Sequence, residues 1–241
     1  MTLGFFITSL SYLVGAVVFY LAARRRRVAT EGMGYIALAG FCGGVLGAKL
    51  TEWVLVHGTT FSAQPGAILD PRTGGRTLIG GVIAGWICVE LAKRRLGIRR
   101  STGDLFALAL PAGETVGRIG CFFNGCCFGI PCDPHTVTWA VHQHGAYRHP
   151  AQLYASLFAL VVFGVLLALR DRMRREGDLF RLYLVLFGFG RFGLEFLRVR
   201  TPSVGGLSVA QWVCLEIAAL SAIALAISRA RAGAALREEA C

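Results

Sequence analysis

Apolar stretches of about 20 residues recur along the whole chain, and each is long enough to cross a hydrocarbon core about 30 Å thick. The pattern places spans at roughly 3–23, 34–56, 77–92, 104–120, 150–169, 179–197 and 206–228. Composition agrees: 55% of the 241 residues are hydrophobic and 16% are charged, against about 25% charged in an average soluble protein. A secreted domain, a cytosolic enzyme and a disordered chain are thereby excluded. The expected fold is an all-α membrane protein of about seven transmembrane helices, one polytopic domain over residues 1–241.

Basic residues set the orientation of such a chain. The segments after spans one, three, five and seven carry four, five, five and three Lys or Arg, 17 of the 25. This predicts an outside N-terminus and a cytoplasmic C-terminus. The first span is not read as a cleavable signal peptide, because its charges (Arg24–Arg27) follow the apolar run. All five histidines then fall on the outer side, as do two loops, 57–76 and 121–149. A chain that spends its polar residues on one face is expected to do its chemistry there. The net charge of +11 sits in short clusters that would touch anionic lipid, without the interleaved aromatics that stack bases, so no nucleic-acid partner is assigned.

Gly43, Gly44 and Gly47, and again Gly80, Gly81 and Gly85, have the spacing of close helix packing; a phosphate-binding role is the other reading. No P-loop, HExxH or GxSxG motif occurs.

Ionisable groups inside a membrane are costly and are candidates for function. Asp104 and Asp178 each follow a basic cluster and read as helix N-caps. Arg118 lies 14 residues beyond the first and Arg191 13 beyond the second. At about 1.5 Å per residue, both stand about 20 Å up their helices. Two guanidiniums at matching depth could clamp one phosphate bidentately; snorkelling to the headgroups is the alternative. Glu114 precedes Arg118 by four residues, and Glu195 and Arg198 follow Arg191 on the same helical face. Those pairs read either as structural ladders or as supports for the arginines. Lys49 and Glu52 mark an outer interface, while Glu90 and Glu216 receive no assignment. In His149-Pro150-Ala151-Gln152-Leu153-Tyr154, Pro150 suits a first helical turn and Tyr154 an interfacial belt. His149 is left as a general acid or base near neutral pH.

Cys121, Cys126, Cys127 and Cys132 cluster in the sequence. Disulfides, a nucleophilic thiolate activated by nearby arginine, and metal binding with His135 or Asp133 are all open. The spacing is not a paired CxxC signature, so no metal ligand and no cofactor are assigned.

The run Gly117-Arg118-Ile119-Gly120-Cys121-Phe122-Phe123-Asn124-Gly125-Cys126-Cys127-Phe128-Gly129 resembles the signature of prolipoprotein diacylglyceryl transferases, roughly G-R-x-G-N-F-x-N-x-E-x-x-G. HPAQLY at 149–154 is similar to that family's HPSQLYE, RFGLEFLR at 191–198 to its last motif, and Gly47-Ala48-Lys49-Leu50 to its GAR-L segment. The resemblance implies a bacterial plasma-membrane, multi-pass enzyme that moves diacylglyceryl from phosphatidylglycerol to a lipobox cysteine thiol and releases glycerol phosphate. It implies that Arg118 and Arg191 hold the headgroup; the mechanism expected from the residues themselves takes His149 as the base. Asn124, Gln152, Tyr154, Glu195, Arg198, Gly117 and Gly120 match motif positions. The chain departs from the motifs at Cys121 for asparagine, Cys126 for glutamate, Ile79 for histidine and Ala155 for glutamate. The expected partners are phosphatidylglycerol or another anionic phospholipid, and a lipobox preprotein or another thiol acceptor. The alternatives are a membrane thiol-redox or metal-handling protein using the four cysteines, and a lipid-binding relative without catalysis.

Overall fold

The computed structural model describes residues 3–26, 32–56, 78–173, 175–199 and 205–238. Within them lie seven helices: α1 (Leu3–Arg25), α2 (Gly32–Val56), α3 (Leu78–Arg95), α4 (Gly103–Phe123), α5 (Ala151–Leu169), α6 (Asp178–Glu195) and α7 (Val209–Glu238). Five are long and apolar enough to cross a membrane: α1, α4 and α5, with Gly32–Thr51 of α2 and Val209–Arg231 of α7. The other two carry four charges each, Glu90, Lys93, Arg94 and Arg95 in α3 and Asp178, Arg181, Arg191 and Glu195 in α6. Glu90, unassigned from sequence, pairs with Lys93 at 2.8 Å. The expected loop 57–76 lies outside the described residues.

Contacts divide the chain into two compact units, Ala23–Arg100 and Met1–Ala22 with Ser101–Cys241. In the first, α2 and α3 meet along the glycine seam anticipated from the small-residue spacing. A Cβ on Gly47 would overlap Ala84 and the Gly80 carbonyl, and one on Gly43 would stand 2.6 Å from the Cys88 Sγ. Only hydrogen on these α-carbons lets the two backbones approach so closely.

In the second unit α4 packs on α5 and α6, and α6 on α7. The core forms where α4 and α6 begin and α5 ends, from Ala107, Leu108, Val162, Leu166, Met173, Leu179 and Tyr183. Along α6, Gly188 admits Cys214 and Ala218 of α7, and Gly190 admits the Phe158 ring of α5. Apolar side chains elsewhere on α1, α5 and α7 point outward, among them Phe6, Leu157 and Leu220 at 61%, 62% and 68% exposure. That outward face suits lipid, where the backbone polar groups must be satisfied within the helices.

The expectation that Asp104 and Asp178 cap their own helices is corrected. Asp104 sits inside the first turn of α4, yet its carboxylate accepts the backbone N–H of Gly177 and of Phe180, each at 3.1 Å. It therefore caps α6 from a neighbouring helix, because the Gly177 N-cap, at φ 84°, has no side chain to do so. Asp178 pairs with Arg181 at 2.6 Å. Helix α7 opens on a reciprocal cap: Ser208 Oγ accepts the Gln211 N–H at 3.2 Å, and Ser208 N–H donates to Gln211 Oε1 at 2.9 Å. This Ser-Val-Ala-Gln box sets the helix start at Val209, three residues later than the apolar run suggests.

A two-stranded hairpin, β1 (Val141–Gln143) and β2 (Ala146–Arg148), adds to the expected helices. Its strands join through His144 and Gly145 at φ 51° and 74°, the two positive values a tight type I′ turn requires.

Candidate functional site

Because Asp104 holds the start of α6 against the start of α4, residues 14 and 13 positions further on come level. Arg118 of α4 and Arg191 of α6 line one small cleft, with Glu114 of α4, Ala155 and Phe158 of α5, and Phe187 and Leu194 of α6. Arg118 donates from Nε and Nη2 to Glu114 Oε1 at 3.0 and 2.8 Å. Arg191 Nη2 stands 2.9 Å from Glu195 Oε2. All four side chains are at most 22% exposed, so the pairs lie largely out of water. The i,i+4 pairing expected from sequence thus occurs twice, on two helices, facing one space.

Glu195 is fixed in turn. Ser208 Oγ lies 3.5 Å from its Oε1, and Gln211 Nε2 donates to the Phe192 carbonyl at 3.3 Å. Both come from the start of α7, so the capping box that begins α7 also braces the end of α6. Phe158 and Phe187, which line the cleft, were not singled out from sequence. Their signal was present, since Phe158 follows Tyr154 and Phe187 precedes Arg191 by four residues each.

One turn beyond Arg118, α4 ends in a Schellman motif. Gly125, at φ 64°, donates to the Phe122 carbonyl and Cys126 N–H to the Cys121 carbonyl, both at 3.1 Å. The left-handed position needs glycine, and the fold-back carries Cys126 over Cys121. Cys127 follows at φ 60°, an uncommon value for a residue with a side chain. The Sγ atoms of Cys121, Cys126 and Cys127 consequently lie within 4.8 Å of one another. None of the three is in a disulfide. Hydrogen bonds with Cys121 and Cys126 hold the Cys127 thiol well below the ordinary thiol range, and the Arg198 and Arg118 guanidiniums act in the same direction. The fourth cysteine of the expected cluster is placed elsewhere. Cys132 N–H donates to the Tyr147 carbonyl at 2.9 Å, next to the hairpin, and its sulfur is not one of the three.

The remaining site residues fall into two groups. Gln152, 1% exposed, donates from Nε2 to the Cys126 carbonyl at 2.8 Å and to Gln143 Oε1 at 3.3 Å, while its own Oε1 is buried without a donor. Arg198 bridges to Gly129, next to the Ile130 N–H that donates to the Leu197 carbonyl at 3.0 Å, tying the loop to the end of α6. His149 Nδ1 lies 3.3 Å from Tyr154 Oη, which accepts from Trp139 Nε1. His149 is not among the residues lining the arginine cleft. Gly117, Gly120 and Asn124 face α1. A Cβ on Gly117 would stand 3.3 Å from Ser11 Oγ, one on Gly120 would overlap Thr8, and Asn124 Nδ2 is 3.4 Å from Thr8 Oγ1.

Apolar helices able to cross a membrane, with two glutamate-paired arginines largely out of water on two helices, define a multi-pass membrane protein with an arginine-lined internal cleft. The chain belongs to the prolipoprotein diacylglyceryl transferase family, whose model matches residues 4–227. It is 34% identical over 193 residues to the phosphatidylglycerol–prolipoprotein diacylglyceryl transferase of Symbiobacterium thermophilum, covering 76% of this chain and 72% of that one. The proteins of the same name from Finegoldia magna and Thermotoga maritima are 31% and 30% identical, covering 72% and 83% of this chain and 69% and 72% of theirs.

Proposed function

We propose that the chain transfers the diacylglyceryl group of phosphatidylglycerol to a lipobox cysteine thiol in a bacterial plasma membrane, the reaction named for its relatives. It crosses the membrane seven times, with the N-terminus outside and the C-terminus in the cytoplasm, so the loop 121–149 faces the outer surface. The observation that carries the reading is the cleft itself: Arg118 and Arg191, on different helices, open onto one space.

A phosphate entering that space meets two guanidinium forks whose positions are set by Glu114 and Glu195. These donors are already desolvated, so they stabilise charge developing on the leaving phosphate without reorganising. The acceptor thiol loses its proton, with His149 as the base, held by Tyr154. The thiolate sulfur attacks the glyceryl carbon, the carbon–oxygen bond breaks, and glycerol phosphate departs with the electron pair. Gln152 and Arg198 position the loop from which the acceptor is met, and Asn124, Gly117 and Gly120 shape the wall formed with α1.

The test is release of headgroup-labelled glycerol phosphate from phosphatidylglycerol by purified protein in the presence of a lipobox peptide. Native protein releases label, and Arg118→Ala or Arg191→Ala reduces the release about a hundredfold or more. Equal release by native and substituted protein overturns the reading.

A further inference from the structure

The three sulfurs at the end of α4 have no part in phosphate binding, yet they stand beside it. Cys121 follows Arg118 by three residues on one helix, about 4.5 Å along the axis. Cys126 and Cys127 join it through the Schellman turn. A tetrahedral zinc ion with Zn–S bonds of about 2.3 Å separates its sulfurs by about 3.8 Å. The three sulfurs, within 4.8 Å of one another, already stand within about 1 Å of that spacing. Among the described residues no histidine or carboxylate joins the group, so it offers three ligands and not four. Three protein ligands with one open position is the arrangement of catalytic zinc, whereas structural sites are closed.

Charge favours the same ion. Three thiolates with one divalent cation leave a net charge of −1, and the neighbouring Arg118 and Arg198 offset an anionic complex. Gln152 adds a second observation. Its Nε2 holds the Cys126 carbonyl, while its Oε1, buried without a donor, leaves an acceptor beside the cluster for an incoming N–H.

We infer that Cys121, Cys126 and Cys127 bind a divalent zinc-class ion whose fourth position takes the acceptor's thiol as a thiolate. This rests on the transferase reading above and gives its nucleophile a place. On coordination the acceptor S–H gives up its proton, as coordinated thiols do, to His149, the base of the transferase reading. The metal-bound sulfur then attacks the glyceryl carbon, the carbon–oxygen bond breaks, and the electron pair leaves with the phosphate held by the arginines. The neutral thioether product is the weaker ligand and departs. None of the three cysteines is alkylated, because a thioether formed on the protein would be a dead end.

The test is cobalt(II) titration of the purified, phosphine-reduced full chain, read by sulfur-to-cobalt charge-transfer absorption. One equivalent of cobalt is expected to give the absorption, Cys126→Ser and Cys127→Ser to lose it, and Cys132→Ser to keep it. A lipobox peptide is expected to alter the spectrum, and the same peptide with serine for cysteine to leave it unchanged. No cobalt absorption in the native chain, or absorption that survives both Cys126→Ser and Cys127→Ser, overturns the metal site. Absorption indifferent to the peptide thiol overturns the open position. Glycerol phosphate release measured on the same preparation separates the two readings. Cobalt and peptide responses without release uphold the metal site and overturn the transferase, and release without cobalt binding does the reverse.

Discussion

The carboxylate of Asp104, in the first turn of α4, lies 3.1 Å from the backbone nitrogen of Gly177 at the start of α6. A second bond of the same length, to Phe180, completes the cap. The two helices are thereby registered at one end, and the two arginines arrive at one height at the other. Asp104 is 1% exposed, so its removal also leaves the α6 amide groups unsatisfied in a dry place. Asp104→Ala is expected to destabilise the protein by about 1–3 kcal/mol, measured by thermal unfolding in detergent. Transferase activity should fall even well below the unfolding temperature. An unchanged unfolding temperature would show that the cap does not hold the helices.

Arg118 engages Glu114 through two of its nitrogens, a geometry that lysine cannot reproduce. Arg118→Lys and Arg191→Lys keep the charge and lose the fork. Each is expected to lower kcat/KM by about 2.7–4 kcal/mol, or roughly a hundred- to a thousandfold, as expected for losing a preorganised donor. Wild-type kinetics in either variant would mean that a point charge suffices.

Glu114 of α4 and Ala155 of α5 line the same cleft. Residue 155 is where the family motif carries a glutamate, and an exchange of the carboxylate between the two walls is the expectation the next variants test. Glu114→Ala is expected to lose activity, and the double variant Glu114→Ala with Ala155→Glu to regain part of it. The double-variant kinetics decide: a loss equal to or greater than that of Glu114→Ala alone would refute the exchange.

The α2–α3 seam gives a prediction with an internal control. Gly47→Ala drives a Cβ into Ala84 and the Gly80 carbonyl, whereas Gly34→Ala in the same helix meets nothing within 4 Å. The first should destabilise by about 1–3 kcal/mol through overpacking. The second should be neutral, or stabilise by about 0.5–1 kcal/mol through helix propensity. Unfolding temperatures of the two variants, side by side, check the seam.

The helices were legible because hydropathy and basic clusters repeat at membrane spacing. Even α6, too charged to pass as a plain apolar span, showed itself by position. The common cleft of Arg118 and Arg191 was legible too, because counting from two aspartates to two arginines needs only the helix rise. The aspartates' own partners were not, since nothing in a linear pattern says that Asp104 caps another helix. The hairpin escaped because strands of three residues are too short to show alternation. The cysteines misled for a related reason: the spacing 121, 126, 127, 132 reads as one cluster, but the turn at Gly125 gathers three and the chain then carries Cys132 to Tyr147. The Ser208–Gln211 box was available in the letters and went unread behind the apolar run.

The most direct measurement is the mass of a lipobox peptide incubated with the purified chain and phosphatidylglycerol, with the Symbiobacterium thermophilum relative alongside. The expected result is the gain of one diacylglyceryl group on the peptide cysteine, abolished by Arg118→Ala and by Arg191→Ala. An unmodified peptide where the relative modifies it, or full modification by both variants, would contradict the role of the arginine cleft.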